Sequence, residues 1–210
     1  MWSDLQAPWK AAFEQGWEAF CHGSIPIGAS IADGDGHILS VGQNRVFDRS
    51  LKNPRVAHAE VDAIWNLDTA KYQNIHNYVL YACMEPCPMC LGTIVMSDLE
   101  KVCVAARDAY CGAMHLCSAD PYIAAKRMQI KFEYGLLEAV QLVMQTYFEL
   151  KIRNGSMNVV TKAFEQCNPK AVSIAKSHFE NRSIDSFAQS GYAFGFVFDE
   201  LAKEYGYPAK

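Results

Sequence analysis

Two short motifs constrain the fold of this chain more strongly than any other feature of its sequence. They are HAE at residues 58–60 and PCPMC at residues 86–90. One imidazole and two thiolates are good zinc ligands, and three protein ligands leave the fourth tetrahedral position open, as in catalytic rather than structural zinc sites. The chain therefore has to bring the two motifs together, and we predict one Zn²⁺ ion held by His58, Cys87 and Cys90.

Glu60 is the residue that the first motif offers for proton transfer. The open metal position would take a water, whose pKa the metal lowers until it is a nucleophile near neutral pH. His58 and Glu60 are about 200° apart around a helix, so their side chains converge only if both lie at its N-terminal tip. We predict this arrangement, with Glu60 as the catalytic residue. Glu85 is a rival acid or base, which we expect on the backbone side of the cysteine turn.

Each motif alone has a more ordinary explanation. A histidine beside a glutamate is often a surface pair, and an isolated CxxC is often a redox pair. The proline before Cys87, and Pro88 at what would be the first position of a helix, favour the zinc site when they occur with the upstream HAE motif. At the start of a helix, the positive end of the helix dipole also favours thiolate over thiol.

Composition places the chain among globular proteins and weighs against some functions. With 210 residues, half of them hydrophobic, it can fill one domain and an appendage. The eight cysteines are better explained as ligands and core residues than as disulfide staples, and the first ten residues do not resemble a secretory signal, so we expect a cytoplasmic protein. No apolar run approaches the roughly 20 residues that span a bilayer. The net charge of −4 disfavours a tight nucleic-acid binder.

Hydrophobic periodicity and turn residues predict alternating strands and helices, which favours an α/β fold with helices packed on a sheet. The aromatic residues of the first helix recur on one face, which indicates core packing rather than an exposed stacking platform. The expected elements are a helix over 8–21, strands over 25–32 and 37–46 around a turn at 33–36, a helix over 58–68, a strand over 78–84, a helix from 88, a strand over 101–106, a loop over 107–114, a strand over 129–134 and a helix over 136–150.

Two features that lie just before the HAE motif have two interpretations each. Asn44 offers a donor and an acceptor, so it can pair with the polar edge of a heterocycle, although an asparagine at a strand end more often caps a turn. Four basic residues follow within eleven positions, and they either hold a phosphate or form a solvated loop, which is the more common case. These residues are Arg45, Arg49, Lys52 and Arg55.

The region over 153–210 is predicted to be a mostly helical extension of unknown role. Its periodicity is weak until 185–205, where aromatic and aliphatic residues step by helical spacings. The aromatic residues from Tyr192 to Phe198 also alternate by two, so a strand is an alternative. We expect a helix that packs on the core or on a second subunit, and a lid over the substrate is the other option.

Five segments between residues 7 and 152 carry a family resemblance. The chain resembles the cytidine-deaminase superfamily, and within it the bacterial tRNA adenosine deaminases and their guanine and nucleoside deaminase relatives. The pair of HAE and PCxxC is highly specific for the superfamily, whereas the other segments only suggest the subgroup. The segments are PIGA at 26–29, GQNR at 42–45, AHAE at 57–60, EPCPMC at 85–90 and ARDA at 106–109.

The resemblance implies a fold, an assembly and roles for individual residues. It implies a three-layer α/β/α fold with a five-stranded mixed sheet over residues 1–152, and a homodimer. It implies that His58, Cys87 and Cys90 bind zinc and that Glu60 moves protons. It also implies that Asn44 recognises the base, against the more common turn-capping role, and that the 107–114 loop lines the pocket. We predict Ala59 and Asp108 as further substrate-contacting residues.

The substrate is the least constrained part of the prediction. The loop after ARDA is bulkier here, at Tyr110-Cys111 and His115-Leu116-Cys117, than the small-residue loop usual in the tRNA enzymes. Because the chain is also acidic, we favour a free nucleobase, nucleoside or nucleotide with an amino group, of purine type. The alternative is an adenosine in a tRNA loop. A non-catalytic partner subunit is a third option, which the presence of Glu60 disfavours.

Overall fold

A computed structural model of the chain describes residues 1–207. A five-stranded mixed sheet lies at its centre. Its strands are β1 (Gly28–Ala32), β2 (Ile38–Gln43), β3 (Val79–Met84), β4 (Lys101–Ala106) and β5 (Gln129–Phe132). They lie side by side in the order β2-β1-β3-β4-β5. β1 is antiparallel to both β2 and β3, whereas β4 runs parallel to β3 and to β5.

Helices cover both faces of this sheet. They are α1 (Ala7–Cys21), α2 (Ala59–Trp65), α3 (Pro88–Met96), α4 (Leu116–Ala119), α5 (Pro121–Ala125), α6 (Leu136–Ile152), α7 (Val159–Cys167), α8 (Pro169–Asn181), α9 (Ser183–Gln189) and α10 (Phe194–Tyr205). Short 3₁₀ turns occur at Trp2–Asp4, Pro54–Val56 and Ile75–Asn77. Within residues 1–207, no helix combines the length and the apolar character that crossing a membrane requires.

The side chains of the central strands β3 and β4 are divided between two hydrophobic clusters, one on each face of the sheet. In β3, Leu80 and Ala82 belong to the cluster that includes residues of α2 and α3. Cys83 belongs to the other cluster, with residues of α1 and α6. The predicted three-layer α/β/α architecture is therefore confirmed.

The aromatic stripe of α1 packs into the core, as its spacing predicts. Trp9, Phe13, Trp17 and Phe20 are all buried. The Phe13 ring stacks on Phe194 of α10 at a centroid distance of 5.8 Å. The stripe therefore fixes α1 between the sheet and the C-terminal helices and leaves no exposed platform.

The C-terminal region has four helices within the described residues, more than the periodicity predicts. The prediction of a mostly helical extension is confirmed, and α7 and α8 lie in the part of it where the periodicity is weak. Each begins at an asparagine N-cap: Asn158 Oδ1 accepts from the Thr161 N–H at 2.9 Å, and Asn168 Oδ1 accepts from the Ala171 N–H at 3.1 Å. The segment over 185–205 is not one helix or a strand, because a turn with Gly191 at φ +71° separates α9 from α10. Residues 208–210 of the predicted extension lie outside the described residues.

These helices continue the core of the preceding region instead of standing apart from it. Thirteen of the seventeen residues of α6 are buried, on all sides of the helix. Side chains of α7 to α10 join the same hydrophobic cluster as α1 and α6. The extension therefore covers the outer side of α6, which agrees with the expected packing on the core.

Several predicted boundaries differ from the structure. β1 begins at Gly28 instead of residue 25, because the Ile27 N–H bonds to Ile25 O at 2.7 Å and turns the chain. β2 ends at Gln43, before Arg45 N–H bonds to Ala57 O outside the sheet. Among the others, α2 is shorter than predicted, and the helix predicted from residue 88 begins there and ends at Met96. The loop predicted over 107–114 is confirmed, and it is followed by α4 and α5, which were not predicted.

The backbone of α2 lies directly against Gly42 of β2. A Cβ atom on Gly42 would lie 2.1 Å from the Ala63 nitrogen and 2.3 Å from Ala59 O. The Ser40 hydroxyl donates to Ala63 O at 2.7 Å and holds the same contact. Only glycine permits this approach, which places the helix that carries the HAE motif.

We expect Gly42→Ala to destabilise the protein, because its methyl group would displace α2. Overpacking of this kind costs about 3 kcal/mol, which in a chain of this size corresponds to a fall in Tm of about 6–12 °C. Differential scanning calorimetry would measure it. Gly34→Ala is the matched control, because a Cβ there meets no atom within 4 Å. An unchanged Tm in Gly42→Ala would contradict the packing.

Candidate metal centre and active site

Two helix starts bring the predicted metal ligands together. His58 is the N-cap of α2, with φ −81° and ψ 156°, and Cys87 is the N-cap of α3. Pro88 occupies the first position of α3, and Cys90 lies in the first turn of that helix. Because α2 and α3 pack side by side on the same face of the sheet, their N-terminal ends face a common point.

The three ligand atoms fit one tetrahedral metal ion. His58 Nδ1 lies 3.7 Å from Cys87 Sγ and 3.4 Å from Cys90 Sγ, and the two sulfurs are 3.5 Å apart. Ligands at about 2.0–2.3 Å from a shared zinc ion are separated by about 3.3–3.8 Å in tetrahedral geometry. The donor set of one nitrogen and two sulfurs also suits zinc. The residues present therefore fit Zn²⁺, as predicted.

The same contacts favour a thiolate at Cys87. The contact between the two sulfurs, supported by His58, lowers the pKa of Cys87 to about 4. The contact with Cys87 and burial raise the pKa of the Cys90 thiol. A bound cation favours deprotonation of both thiols. His58, Cys87 and Cys90 can thus supply the ligand set that the sequence predicts.

Glu60 lies in the first turn of α2, beside the ligand cluster. Its side chain is 4% exposed, and Oε2 accepts a hydrogen bond from Cys90 Sγ at 3.4 Å. Burial raises the pKa of this carboxyl group. A buried carboxyl group next to a metal site can both take and release a proton near neutral pH.

Ala59 separates the metal ligand His58 from Glu60, and its side chain is fully buried. As the first residue of α2, its backbone N–H has no acceptor within the helix. Any contact that Ala59 makes with a ligand would therefore involve this N–H.

Asn44 combines features of both of its interpretations. Its side chain is 1% exposed, and Oδ1 accepts from the Ser24 hydroxyl at 2.8 Å and from the Val46 N–H at 3.1 Å, which is the turn-capping role. Within residues 1–207, the Nδ2 group donates no hydrogen bond. The next residue, Arg45, bonds through its N–H to Ala57 O at 2.8 Å, and this bond holds Asn44 close to His58. Asn44 can therefore offer a ligand a donor, but its acceptor is already used.

Asp108 organises the loop over 107–114. Oδ1 accepts from the N–H groups of Tyr110 and Cys111 at 2.9 and 3.0 Å, and Oδ2 accepts from Cys111 Sγ at 3.0 Å. Only 9% of Asp108 is exposed. The carboxylate is thus occupied by the loop itself, and Asp108 orders the residues that the resemblance places around the pocket.

Glu85 supports the same loop from beneath, a role that the motifs alone did not assign to it. Its Oε1 accepts from the Met114 N–H at 3.1 Å and its Oε2 from the Asp108 N–H at 3.3 Å. Neither oxygen is turned to the ligand cluster, which agrees with the expected position behind the cysteine turn. An acidic residue between a buried strand and the cysteine motif was the available signal for this role.

Gly112 allows this loop to close over Glu85. A Cβ atom on Gly112 would lie 2.4 Å from the Glu85 carboxyl carbon and 2.6 Å from Asp108 O. We expect Gly112→Ala to displace the loop and to lower kcat/KM by about tenfold to a hundredfold, because small misplacements of positioning residues have effects of this size. Zinc content should stay unchanged.

Steady-state kinetics and metal analysis would test the effect of Gly112→Ala. Gly92→Ala in α3 is the control, because a Cβ there meets no atom within 4 Å. Unaltered kcat/KM in Gly112→Ala would show that the loop does not serve the reaction.

Comparisons with known proteins agree with this site. Residues 3–106 match the family model of the cytidine and deoxycytidylate deaminase zinc-binding region. A tRNA-specific adenosine deaminase of Aquifex aeolicus is 34% identical over 149 residues, which cover 69% of this chain and 93% of that protein. A guanine deaminase of Bacillus subtilis is 42% identical over 83 residues, which cover 39% of this chain and 50% of that protein.

A solved structure from a study of A-to-I editing by tRNA:A34 deaminases is also similar. It superposes with a TM-score of 0.51 at 25% identity, over 59% of this chain and 94% of that chain. The HAE and PCPMC motifs both lie within the segment that the family model matches. From its fold, its ligand cluster and these matches, the chain belongs to the cytidine-deaminase superfamily and is a zinc-type hydrolytic deaminase that acts on C–N bonds.

Proposed function

We propose that this protein releases ammonia from an amino-bearing purine base, nucleoside or nucleotide, with Glu60 as the residue that transfers protons. One observation carries the proposal: His58 Nδ1 and the sulfurs of Cys87 and Cys90 converge within 3.7 Å of one another, and the buried Glu60 carboxyl group lies against Cys90. This arrangement places an acid–base group beside a metal site with a free position.

The proposed reaction adds water to the ring carbon that bears the amine and expels the amine as ammonia, which leaves a carbonyl group. When bound, Zn²⁺ lowers the pKa of a water molecule and makes it a nucleophile near neutral pH. Glu60 takes a proton from the water and passes it to the ring nitrogen; it then takes the proton of the newly added hydroxyl group and delivers it to the departing amine, so that a carbonyl group and ammonia result. The Ala59 N–H and the Asn44 Nδ2 group are the donors that we propose to hold acceptor atoms of the base.

Two lines of support favour a small purine substrate. The relatives described above carry adenosine and guanine in their names, and both are purines. The chain is acidic, and the loop after ARDA carries Tyr110, which is 57% exposed and larger than the small residues usual in that position of the tRNA enzymes. A free base, nucleoside or nucleotide carries few or no phosphate groups, so its binding needs fewer basic residues than the binding of tRNA.

Deamination of an adenosine in tRNA to inosine is the second candidate. The match to the Aquifex aeolicus protein, which extends over 93% of that protein, supports it. The ARDA motif at 106–109 supports it as well. A tRNA substrate would bind with an affinity that falls steeply as salt rises, because phosphate contacts release counterions.

A substrate panel tests both candidates directly. The zinc-loaded protein is incubated with adenine, guanine, their nucleosides and 5′-monophosphates, the cytosine analogues, and unmodified tRNA. Ammonia release and inosine formation are then measured. We expect turnover of at least one free purine compound and little inosine in tRNA. Turnover of tRNA alone would establish the second candidate, and turnover of cytosine compounds alone would contradict the purine assignment.

We also propose that two copies associate through the face formed by α2 and α3. The resemblance to the superfamily implies a homodimer. Trp65 at the end of α2 is 85% exposed, and Met96 at the end of α3 is 70% exposed. Exposed apolar side chains that lie close together mark surfaces that a partner covers, and the two helices that carry these side chains contact each other.

We expect Trp65→Arg to raise the dimer dissociation constant by about thirtyfold, the effect of losing a tryptophan hot spot of about 2 kcal/mol. Sedimentation equilibrium over a range of concentrations would measure it. Val159→Arg is the control, because Val159 is 59% exposed and lies on α7, away from this face. A monomeric wild-type protein, or equal disruption by Val159→Arg, would contradict the assembly.

A further inference from the structure

A cavity lies beside Asn44, the residue that follows β2. It has a volume of about 490 Å³, within the range of small-molecule sites. Residues from the end of α1, the end of β2 and the following loop line it: His22, Ser24, Gln43, Asn44, Arg45, Phe47, Asp48 and Arg49. None of the metal-ligand candidates belongs to this lining.

The structure divides the basic cluster of the 45–55 loop into two groups. Arg45 and Arg49 line the cavity, whereas Lys52 and Arg55 do not; Arg49, Lys52 and Arg55 are all exposed at the surface. A solvated loop accounts for Lys52 and Arg55 but does not explain why Arg45 and Arg49 lie at the cavity.

The two arginines differ in their partners. Arg45 donates through Nε and Nη2 to Asp48 Oδ2 at 3.1 and 2.7 Å, so this pair is nearly neutral. Hydrogen bonds from Ser50 and Arg45 lower the pKa of Asp48 to about 2, which keeps it charged and paired. Arg49 has no acidic or hydrogen-bonding partner among residues 1–207. The cavity therefore holds one uncompensated guanidinium group, a donor set that suits phosphate.

One backbone hydrogen bond places the cavity close to His58. Asn44 lines it, and the Arg45 N–H bond to Ala57 O fixes this corner of the cavity next to His58. Phe47 adds a half-exposed aromatic ring, which rests against Phe148 at a centroid distance of 5.8 Å. A ligand whose base is held at Asn44 would thus extend over an aromatic ring toward Arg49.

We propose that this cavity is a phosphate subsite and that Arg49 binds a phosphate group attached to the base undergoing deamination. The proposal rests on the proposed function and specifies its substrate class as phosphorylated. The phosphate is either the 5′-monoester of a nucleotide or a diester of an RNA strand, and both present the same anionic oxygens to Arg49.

Binding measurements test the subsite without depending on turnover. AMP, GMP and their phosphate-free nucleosides are titrated calorimetrically into the wild-type protein and into the Arg49→Ala variant. An RNA hairpin with adenosine in its loop is titrated in parallel. We expect Arg49→Ala to weaken binding of the phosphorylated ligand by about tenfold or more, because a charge-assisted hydrogen bond is lost, and to leave nucleoside binding unchanged.

Matched variants separate the subsite from a general charge effect. Lys52→Ala removes the same charge from the same loop outside the cavity and should leave phosphate binding within about twofold, as for an exposed charge. Arg49→Lys should restore part of the lost affinity. In steady-state kinetics with a monophosphate substrate, Arg49→Ala should raise KM and leave kcat unchanged. A substitution that only disordered the loop would change kcat as well.

The two sources of phosphate and the two proposals remain distinguishable. Dependence of AMP or GMP binding on Arg49 identifies the monoester, and dependence of the RNA hairpin alone identifies the diester. Equal binding by nucleosides and monophosphates, together with RNA binding that Arg49→Ala does not change, would overturn the subsite. Absence of ammonia release from every compound would overturn the proposed function, while the binding result would still decide the subsite.

Discussion

Glu60→Gln is expected to lower kcat by about 10²–10⁴, the usual contribution of a positioned acid–base group. Glutamine has the same shape but cannot take a proton from water or return it to the ring. The substitution leaves His58, Cys87 and Cys90 unaltered, and the glutamine oxygen can still accept the Cys90 thiol that bonds Glu60 Oε2 at 3.4 Å. Zinc content should therefore remain that of the wild type.

Kinetics, metal analysis and thermal unfolding of the same preparation would establish this result. Glu14→Gln removes a carboxylate from an exposed position on α1 and serves as the control. Glu85→Gln distinguishes the rival acid–base candidate, because Glu85 accepts two loop N–H groups and its loss should act through the loop. If kcat of Glu60→Gln stayed within about threefold of the wild-type value, Glu60 would not be the general acid–base catalyst.

Removal of a metal ligand is the second change with a large expected effect. Cys87→Ser and Cys90→Ser should each release zinc and abolish turnover, because two remaining ligands hold the ion poorly. Each should also lower Tm, since a bound ion stabilises the folded state in proportion to the logarithm of its concentration over its dissociation constant. Chelation of the wild-type protein should lower Tm in the same way, and added Zn²⁺ should restore both Tm and activity.

Cys111→Ser provides the matched control for these variants. Cys111 lies in the loop over 107–114 and contacts Asp108, but it does not belong to the ligand cluster. It should keep full zinc occupancy, as measured by elemental analysis of dialysed protein. Full occupancy in both Cys87→Ser and Cys90→Ser would refute the ligand assignment.

Much of the fold follows from local patterns. The alternation of strands and helices, the turn over 33–36 and the buried face of α1 all depend on residues close together in the chain, so periodicity identifies them. The C-terminal helices were harder to predict because their apolar positions are sparse and their burial depends on α6. Their N-cap residues, Asn158 and Asn168, were the local signals available.

In the candidate site, too, local motifs identify some residues, whereas the roles of others depend on contacts between distant parts of the chain. The zinc ligands and Glu60 could be identified from the sequence because their chemistry is specific and their spacing fits two helix starts. The role of Glu85 in supporting the loop could not be predicted from the sequence, since its partners Met114 and Asp108 lie more than twenty residues further along the chain. A carboxylate without its partners does not indicate which loop it will hold.

The sequence by itself determined the metal and indicated Glu60 as the proposed proton carrier, because only a few residue types bind zinc or move protons and HAE and PCPMC contain them at the required spacing. Only the tertiary structure decided how Asn44 is turned, that the Asp108 carboxylate is occupied by its own loop, and that Arg49 lies at a cavity where no acidic group of residues 1–207 pairs with it. Those features depend on contacts between residues distant in sequence, and such contacts exist only after the chain has folded.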